Sequence, residues 1–260
     1  MKETRSLLNT LVAGAVAFAM VSTLAAQTVN SGVAKVIRLQ GAARYAAGPN
    51  VGQLLKVGDI IKPGTVIQTA AKSSVDFALG DGSTPVASAG ASAAASQMAV
   101  SYQPTAEQNL VRMWENTLLG IDKLTITETG ADVVTETQLD LKAGRIFGTV
   151  KKMSAASKYE VKIPTGVAGI RGTSYDISAE GVVKVFEGSV VVAYVGPDGT
   201  VVTQVVMGGQ QFDTRTGVLS PLPPSDQAEM ESLVKLLPSG FAPPPTPVAA
   251  DKTVIFISPQ

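Results

Sequence analysis

Three glycines at three-residue spacing around one arginine, in "VKIPTGVAGIRGTSYDI" (161–177), are the residues best placed to cradle a ligand. Glycine lets backbone amides approach phosphate closely, so a phosphate loop is the first chemistry to test. Such a loop needs Gly-x-x-x-x-Gly-Lys-Ser/Thr, and here Gly172 runs directly into Thr173 with no lysine between. The dinucleotide fingerprint needs Gly-x-Gly-x-x-Gly opening a helix. Gly166, Gly169 and Gly172 are evenly spaced instead, and "TSYDIS" after them alternates as a strand. A structural corner accounts for more of these residues. Pro164 holds Ile163 extended and ends a strand, and the three glycines permit backbone angles or close approaches that a Cβ would block. Arg171 can lock the turn by holding carbonyls or a carboxylate, and Thr173 starts the next strand.

Other chemistries are narrowed by composition. The chain contains no histidine and no cysteine, which excludes Ser-His-Asp and Cys-His sites and any His- or Cys-ligated zinc. Asp76, Asp81, Asp140, Glu160, Asp176 and Glu187 lie in or near β-segments and could pair in space as a glycosidase requires. Carboxylates at strand ends and in Asp-Gly turns are ordinarily turn formers, however. No loop gathers the several Asp or Asn that calcium wants. No catalytic residue, metal or cofactor is therefore expected. Basic and acidic residues both number 21 and are scattered, so nothing resembles the basic face that nucleic acid needs.

The elements that must position these residues are β-strands. From Val33 onward short apolar runs alternate with turn signals such as Lys62-Pro63-Gly64, Asp81-Gly82 and Pro197-Asp198-Gly199, the pattern of an all-β protein. "SVVVAYV" (189–195) is almost continuously apolar and predicts a strand covered on both faces. Residues 84–135 break the pattern as an insertion: an Ala/Ser-rich loop, then "AEQNLVRMWENTLLGIDKL" (106–124), where Leu110, Trp114, Leu118 and Ile121 make one helical stripe with Trp114 as a packing anchor. "LLKVGDII" (54–61) and "LDLKAGRIF" (139–147) share Leu-Lys-x-Gly-x-Ile, a weak internal echo. Beyond Pro221, Asp226 as N-cap with Glu229 and the stripe Met230, Leu233, Val234, Leu237 predict one short helix. A Pro-rich linker (241–251) and "KTVIFISPQ" follow, the last able to add to a sheet edge or to cover its own domain.

Residues 1–26 have Lys2 and Arg5, an apolar run from Leu7 and small residues before Gln27, the layout of a secretory signal peptide cleaved after Ala25 or Ala26; an uncleaved anchor is the alternative. The expected organisation is thus a signal peptide (1–26), a β-domain (27–222) with the inserted loop and helix, and a C-terminal helix, linker and tail (223–260). The expected fold is a compact β-helix-like or sandwich-like stack of short strands.

"IPTGVAGIRGTSYDIS", followed by "VVKVFEGSVVV" and "VVMGGQQ", resembles the core of the FecR-type domain. That pattern is a Thr-Pro-x-Gly-x-x-x-x-Arg-Gly-Thr-x-Phe block, a Val-rich strand ending in Glu-Gly, and a strand pair closing on Gly-Gln. Ile163 stands where the family has Thr, Thr165 follows Pro164 instead of preceding it, and Tyr175 replaces Phe. "LKVGDIIKPGTVIQTAAKSSVDFALGDGS" looks like the family's opening block. The blocks span roughly residues 33 to 213, with no family motif between about 84 and 135. The resemblance implies an extracytoplasmic β-domain that binds or signals without catalysis. Its best-known members relay a siderophore signal to a sigma factor; with five residues before the hydrophobic stretch, this chain is expected to keep the domain and not the relay. The function expected is an exported, periplasmic or secreted protein that binds an envelope protein or polysaccharide, in sensing or signalling. The alternative is a structural or surface module that binds polysaccharide or assembles with itself.

Overall fold

The computed structural model describes residues 28–48, 52–81, 109–129, 132–196 and 198–236. The segment read as a signal peptide, the Ala/Ser-rich stretch and the Pro-rich tail lie outside these residues. In chain order the strands are β1 (Thr28–Ser31), β2 (Val33–Gln40), β3 (Ala43–Ala47), β4 (Gln53–Leu54), β5 (Ile60–Ile61), β6 (Thr65–Thr69), β7 (Ser74–Gly80), β8 (Asn109–Met113), β9 (Leu118–Glu128), β10 (Val133–Ala143), β11 (Arg145–Thr149), β12 (Lys158–Ile163), β13 (Gly166–Ser178), β14 (Val182–Val195), β15 (Val201–Met207), β16 (Gln210–Asp213) and β17 (Val218–Pro221), followed by one helix, α1 (Pro224–Leu236). The fold is all-β, as expected. The strands form one connected, curled sheet, antiparallel except where β10 runs parallel to β12.

A long bent hairpin, β13 with β14, organises the sheet. Along one side of β13, β12 pairs with residues 166–169 and β11 with residues 174–178. Along the far side of β14, β16 pairs with residues 182–185 and β15 with residues 189–195. Side-chain parity changes between the halves: Ala168 and Ile170 are buried before the bend and Tyr175 and Ile177 after it, just as Val183 and Val185 give way to Val190 and Val192. One extra residue in each strand produces that switch, and bulged strands are how one sheet turns a corner into two packed layers. Both halves then bury their inner faces in one core, which joins Phe77, Val111 and Ile146 to Leu139, Val161 and Val192.

A smaller core lies on the outer face. There α1 lays Met230 and Leu233 on Ile37, Ala78, Leu110, Phe147 and Leu222, with Trp114, Phe186 and Val234 at its border. This second layer explains the main correction to the sequence reading. No inserted helix forms over 109–124, the described part of that stretch, which is β8, the turn at Asn116 (φ 54°) and the start of β9. Leu110 faces α1 while Val111 and Met113 face the main core, so β8 is buried on both sides and loses the period-2 alternation that marks a strand. Offsets of 4, 4 and 3 among Leu110, Trp114, Leu118 and Ile121 then coincide with a helical stripe without causing one.

A second correction runs the other way. "SVVVAYV" is covered on one face only: Val190, Val192 and Tyr194 are buried, whereas Val191 and Val195 are 45% and 60% exposed. The helix at the C-terminus matches its expected place, but it begins at Pro224, so Asp226 lies in its first turn instead of capping it. Asp226 accepts a hydrogen bond from Lys184 Nζ at 2.7 Å. Turn chemistry held well. Asp198 Oδ1 accepts from the Thr200 backbone N–H (3.0 Å) and hydroxyl (2.8 Å) between β14 and β15, and Gly199 takes φ 80°. Gly58 and Gly144, the shared glycines of the internal echo, both have positive φ at strand-to-strand turns. No described helix is long and apolar enough to cross a membrane.

Candidate functional site

The bend in β13 and β14 is built by the residues the sequence singled out, with their roles redistributed. Gly172 has φ 60°, a left-handed angle that side chains disfavour. Its turn swings Thr173 against the end of β11, where Thr173 and Val150 exchange backbone hydrogen bonds of 2.9 and 2.8 Å. The Thr173 hydroxyl accepts from the Ser189 backbone N–H at 3.1 Å and faces the Ser189 and Arg171 carbonyls at 2.9 and 3.0 Å. Thr173 is thus the clasp between the two bulges. Gly188 (φ 85°) completes it, because a Cβ there would overlap the Gly172 carbonyl and come within 2.7 Å of Thr173 Oγ1. The bend line continues through Gly208, whose N–H donates to the Gly188 carbonyl at 2.9 Å.

Arg171 does not lock this corner. It is exposed and its side chain has no partner among the described residues; with Thr173 already holding the nearby carbonyls, nothing is left for the guanidinium to satisfy. Pro164 sits apart, in the two-residue turn joining Ile163 to Gly166. Gly166 opens β13, where a Cβ would overlap the Ala193 carbonyl, so close approach of the backbone demands it. Gly169 is an ordinary strand position with room for a Cβ. Thr173 continues β13 past the bulge instead of starting a new strand.

Around the bend lies an open cleft of about 580 Å³, lined by Val150, Lys152, Arg171, Gly172, Glu187 and Gly188 among others. Lys152 and Glu187 are exposed and, like Arg171, have no side-chain partner among the described residues. Two cations and one anion therefore rim a groove whose floor is backbone and a threonine. Such a rim suits recognition of a polar, charged surface and offers no proton-transfer pair. Lys152 drew no notice as a site residue in the sequence, and Glu187 entered only among the carboxylates that could pair and as part of the Glu187-Gly188 that closes the Val-rich strand of the resembling block.

The buried carboxylates are committed elsewhere, in a row that crosses the outer face of the sheet. Arg38, Asp76, Arg112, Phe147, Asp176 and Lys184 are successive cross-strand neighbours from β2 to β14. Arg112 grips Asp76 by donating from Nε to Oδ1 at 2.6 Å and from Nη2 to Oδ2 at 2.7 Å. Arg145 Nε lies 2.8 Å from both Asp176 oxygens and its Nη2 reaches Glu229 of α1 at 2.8 Å. Burial pushes the Asp176 carboxyl up to about 6, against the downward pull of the Arg145 charge and hydrogen bond. Arg145 itself moves upward because its attraction to Asp176 and Glu229 outweighs the opposing effect of its burial. Trp114 packs between these arginines, 5.5 Å from Arg112 and 5.2 Å from Arg145. It is the packing anchor expected, on a strand end in place of a helix. Asp140 and Glu160 share one face of β10 and β12, where they pair with Lys142 (3.4 Å) and Lys158 (3.8 Å) and both lie near Lys162. Among the described residues no group of acidic side chains is placed to hold a metal.

An all-β domain folded about a bulged Arg-Gly-Thr corner, with a rimmed cleft and no catalytic constellation among the described residues, is the class these features define. Residues 94–191 match the family model described as FecR protein. The match contains β13 and most of β14, and it runs through 94–135, where no family motif is visible by eye. It stops short of the Gly-Gly-Gln closure at 208–210. No curated protein matches the chain. Two crystal structures of a candidate anti-sigma factor from Parabacteroides distasonis are similar at 14% identity with TM-score 0.35 and 13% with TM-score 0.32. In each, 51% of this chain aligns with 59% of the other, so the likeness spans little more than half of either.

Proposed function

We propose that this protein is an exported, non-catalytic recognition module of the cell envelope, periplasmic or secreted, that meets a macromolecular partner through the corner cleft in envelope sensing or signalling. The observation that carries this reading is the set of charges without a partner among the described residues, Lys152, Arg171 and Glu187, around a groove at the bend of the FecR domain. Charged side chains that no neighbour neutralises are available to a partner, where opposite charges steer encounter and fix register. The carboxylates an enzyme would need are instead held by arginine at Asp76 and Asp176. The leader-like residues 1–26 supply the export half of the reading. Enzyme activity plays no part in it.

The test is photo-crosslinking in intact cells from a probe placed at the exposed Glu187 on the rim of the cleft. One envelope protein or glycan should be captured, and capture should fall by about tenfold or more when Arg171→Glu and Lys152→Glu are combined. Equal capture by the charge-reversed protein would sink the cleft as the contact. A second reading, a surface module that assembles with itself, draws support from a different part of the sheet, the exposed valines of β14 and β15.

A further inference from the structure

Helix α1 rests on the sheet without being built into it. Every strand precedes it, and the main core holds none of its side chains. The sheet keeps the chain as far as Leu222, whose backbone N–H donates to the Gly209 carbonyl at 2.8 Å; Pro223 follows, and α1 begins at Pro224. Beneath the helix lies an apolar strip drawn from four strands: Ile37 of β2, Ala78 of β7, Leu110 of β8 and Phe147 of β11. The charges beside that strip are closed within the sheet, where Arg112 holds Asp76 and Arg145 holds Asp176. Lifting α1 therefore leaves neither buried carboxylate alone. A positive surplus remains, because Arg38, Arg112, Arg145 and Lys184 share the border of the strip with those two carboxylates. Asp226 and Glu229 of α1 meet that surplus, on Lys184 at 2.7 Å and on Arg145 at 2.8 Å. One group is left over. The buried Nε1–H of Trp114, whose ring lies against Arg112 and Arg145, finds no acceptor on α1 or elsewhere among the described residues, although buried donors are ordinarily paired.

We propose that this strip is a docking groove for an amphipathic helix of a partner protein, and that α1 is its displaceable resident. Helices that lie in such grooves are read through anchors at i, i+3, i+4 and i+7. In α1 those positions are Asp226, Glu229, Met230 and Leu233, two acids followed by two apolar side chains. Charge pairing at the first two fixes the register of the helix, and burial of the last two supplies its affinity. A partner helix with the same four anchors and an acceptor for Trp114 Nε1 makes every contact that α1 makes and one more. That extra bond is its advantage over a helix tethered beside the groove, which always competes at high effective concentration. The groove is separate from the cleft at the bend, and neither reading needs the other.

The probe is a fluorescent peptide with the sequence of residues 222–238, added in trans to the full chain. Its anisotropy should report binding to Leu233→Ala, in which α1 is loosened, about tenfold or more tighter than to wild type, whose own helix competes. In the Leu233→Ala chain, adding Lys184→Glu should weaken the peptide by about tenfold, and an Asp226→Lys peptide should restore it. Should far-UV dichroism show that Leu233→Ala has lost its sheet, the Asp226→Lys, Glu229→Lys chain, altered only at partly exposed positions, replaces it in the comparison with wild type. A loosened chain that fails to bind the peptide, or binds it no better than wild type, overturns the proposal. A Lys184→Glu change without effect, or a loss that the reversed peptide leaves unrestored, does so as well. Hydrogen exchange tests the wild type alone: amides of α1 should exchange about tenfold or more faster than those of β13 and β14, by opening of the helix without the sheet. Equal protection makes α1 a fixed part of the fold and also overturns the proposal.

Discussion

Thr173 and Arg171 stand two residues apart in the same bulge and do opposite things. The Thr173 hydroxyl joins β13 to β14 through Ser189, and removing one partner of such buried hydrogen bonds costs about 1–3 kcal/mol. Thr173→Val should lower unfolding free energy in urea by about that amount, whereas Arg171→Ala should stay within about 0.5 kcal/mol of wild type. Equal losses from the two would return the lock to the arginine. Asp176 gives the second residue-scale expectation. Its carboxyl titrates at about 6 in the folded protein against an ordinary 3.8, so between those values the native state holds a proton that the unfolded state has released. Stability must then fall as pH rises from about 4 to about 6 and level off above, by up to roughly 3 kcal/mol for two units of difference. Urea unfolding across that window should show this slope in wild type and a flatter one in Asp176→Asn. Parallel curves would mean that Asp176 is ionised in both states throughout.

Helix α1 shows what elements add to residues. It is held by two kinds of contact: Met230 and Leu233 in the outer core, and Lys184–Asp226 and Arg145–Glu229 at its edges. These ion pairs are partly exposed and contribute little, about 0 to 1 kcal/mol each. Burial of the apolar stripe therefore decides docking. Leu233→Ala should cost about 2–5 kcal/mol and shift the emission of Trp114, the single tryptophan of the chain, toward the red as α1 loosens over it. An unchanged spectrum with a lowered melt would place the damage elsewhere. The helix itself was legible because it is amphipathic and isolated by prolines. Strand β8 was not, because α1 covers its second face and erases the alternation that identifies strands.

At the scale of the molecule, two long strands bent at one line join two sheet halves around a shared core. Turn positions, the corner glycines and the class of fold were decided by local chemistry, which travels with the sequence: proline presets φ, Gly172 and Gly188 accept angles or approaches that side chains refuse, and alternating valines favour strands. The absence of histidine and cysteine likewise removed whole chemistries without any structure. Contacts between distant segments were another matter. That Thr173 and not Arg171 closes the corner depends on Ser189, which only the β13–β14 register brings alongside. That Asp76 and Asp176 are bound to arginines, while Lys152, Arg171 and Glu187 find no partner among the described residues, depends on which strands become neighbours across the curled sheet. The valines of β14 and β15 make the same point in reverse: a run of apolar residues specifies a strand, but whether a second layer covers its outer face is decided by where the rest of the chain packs.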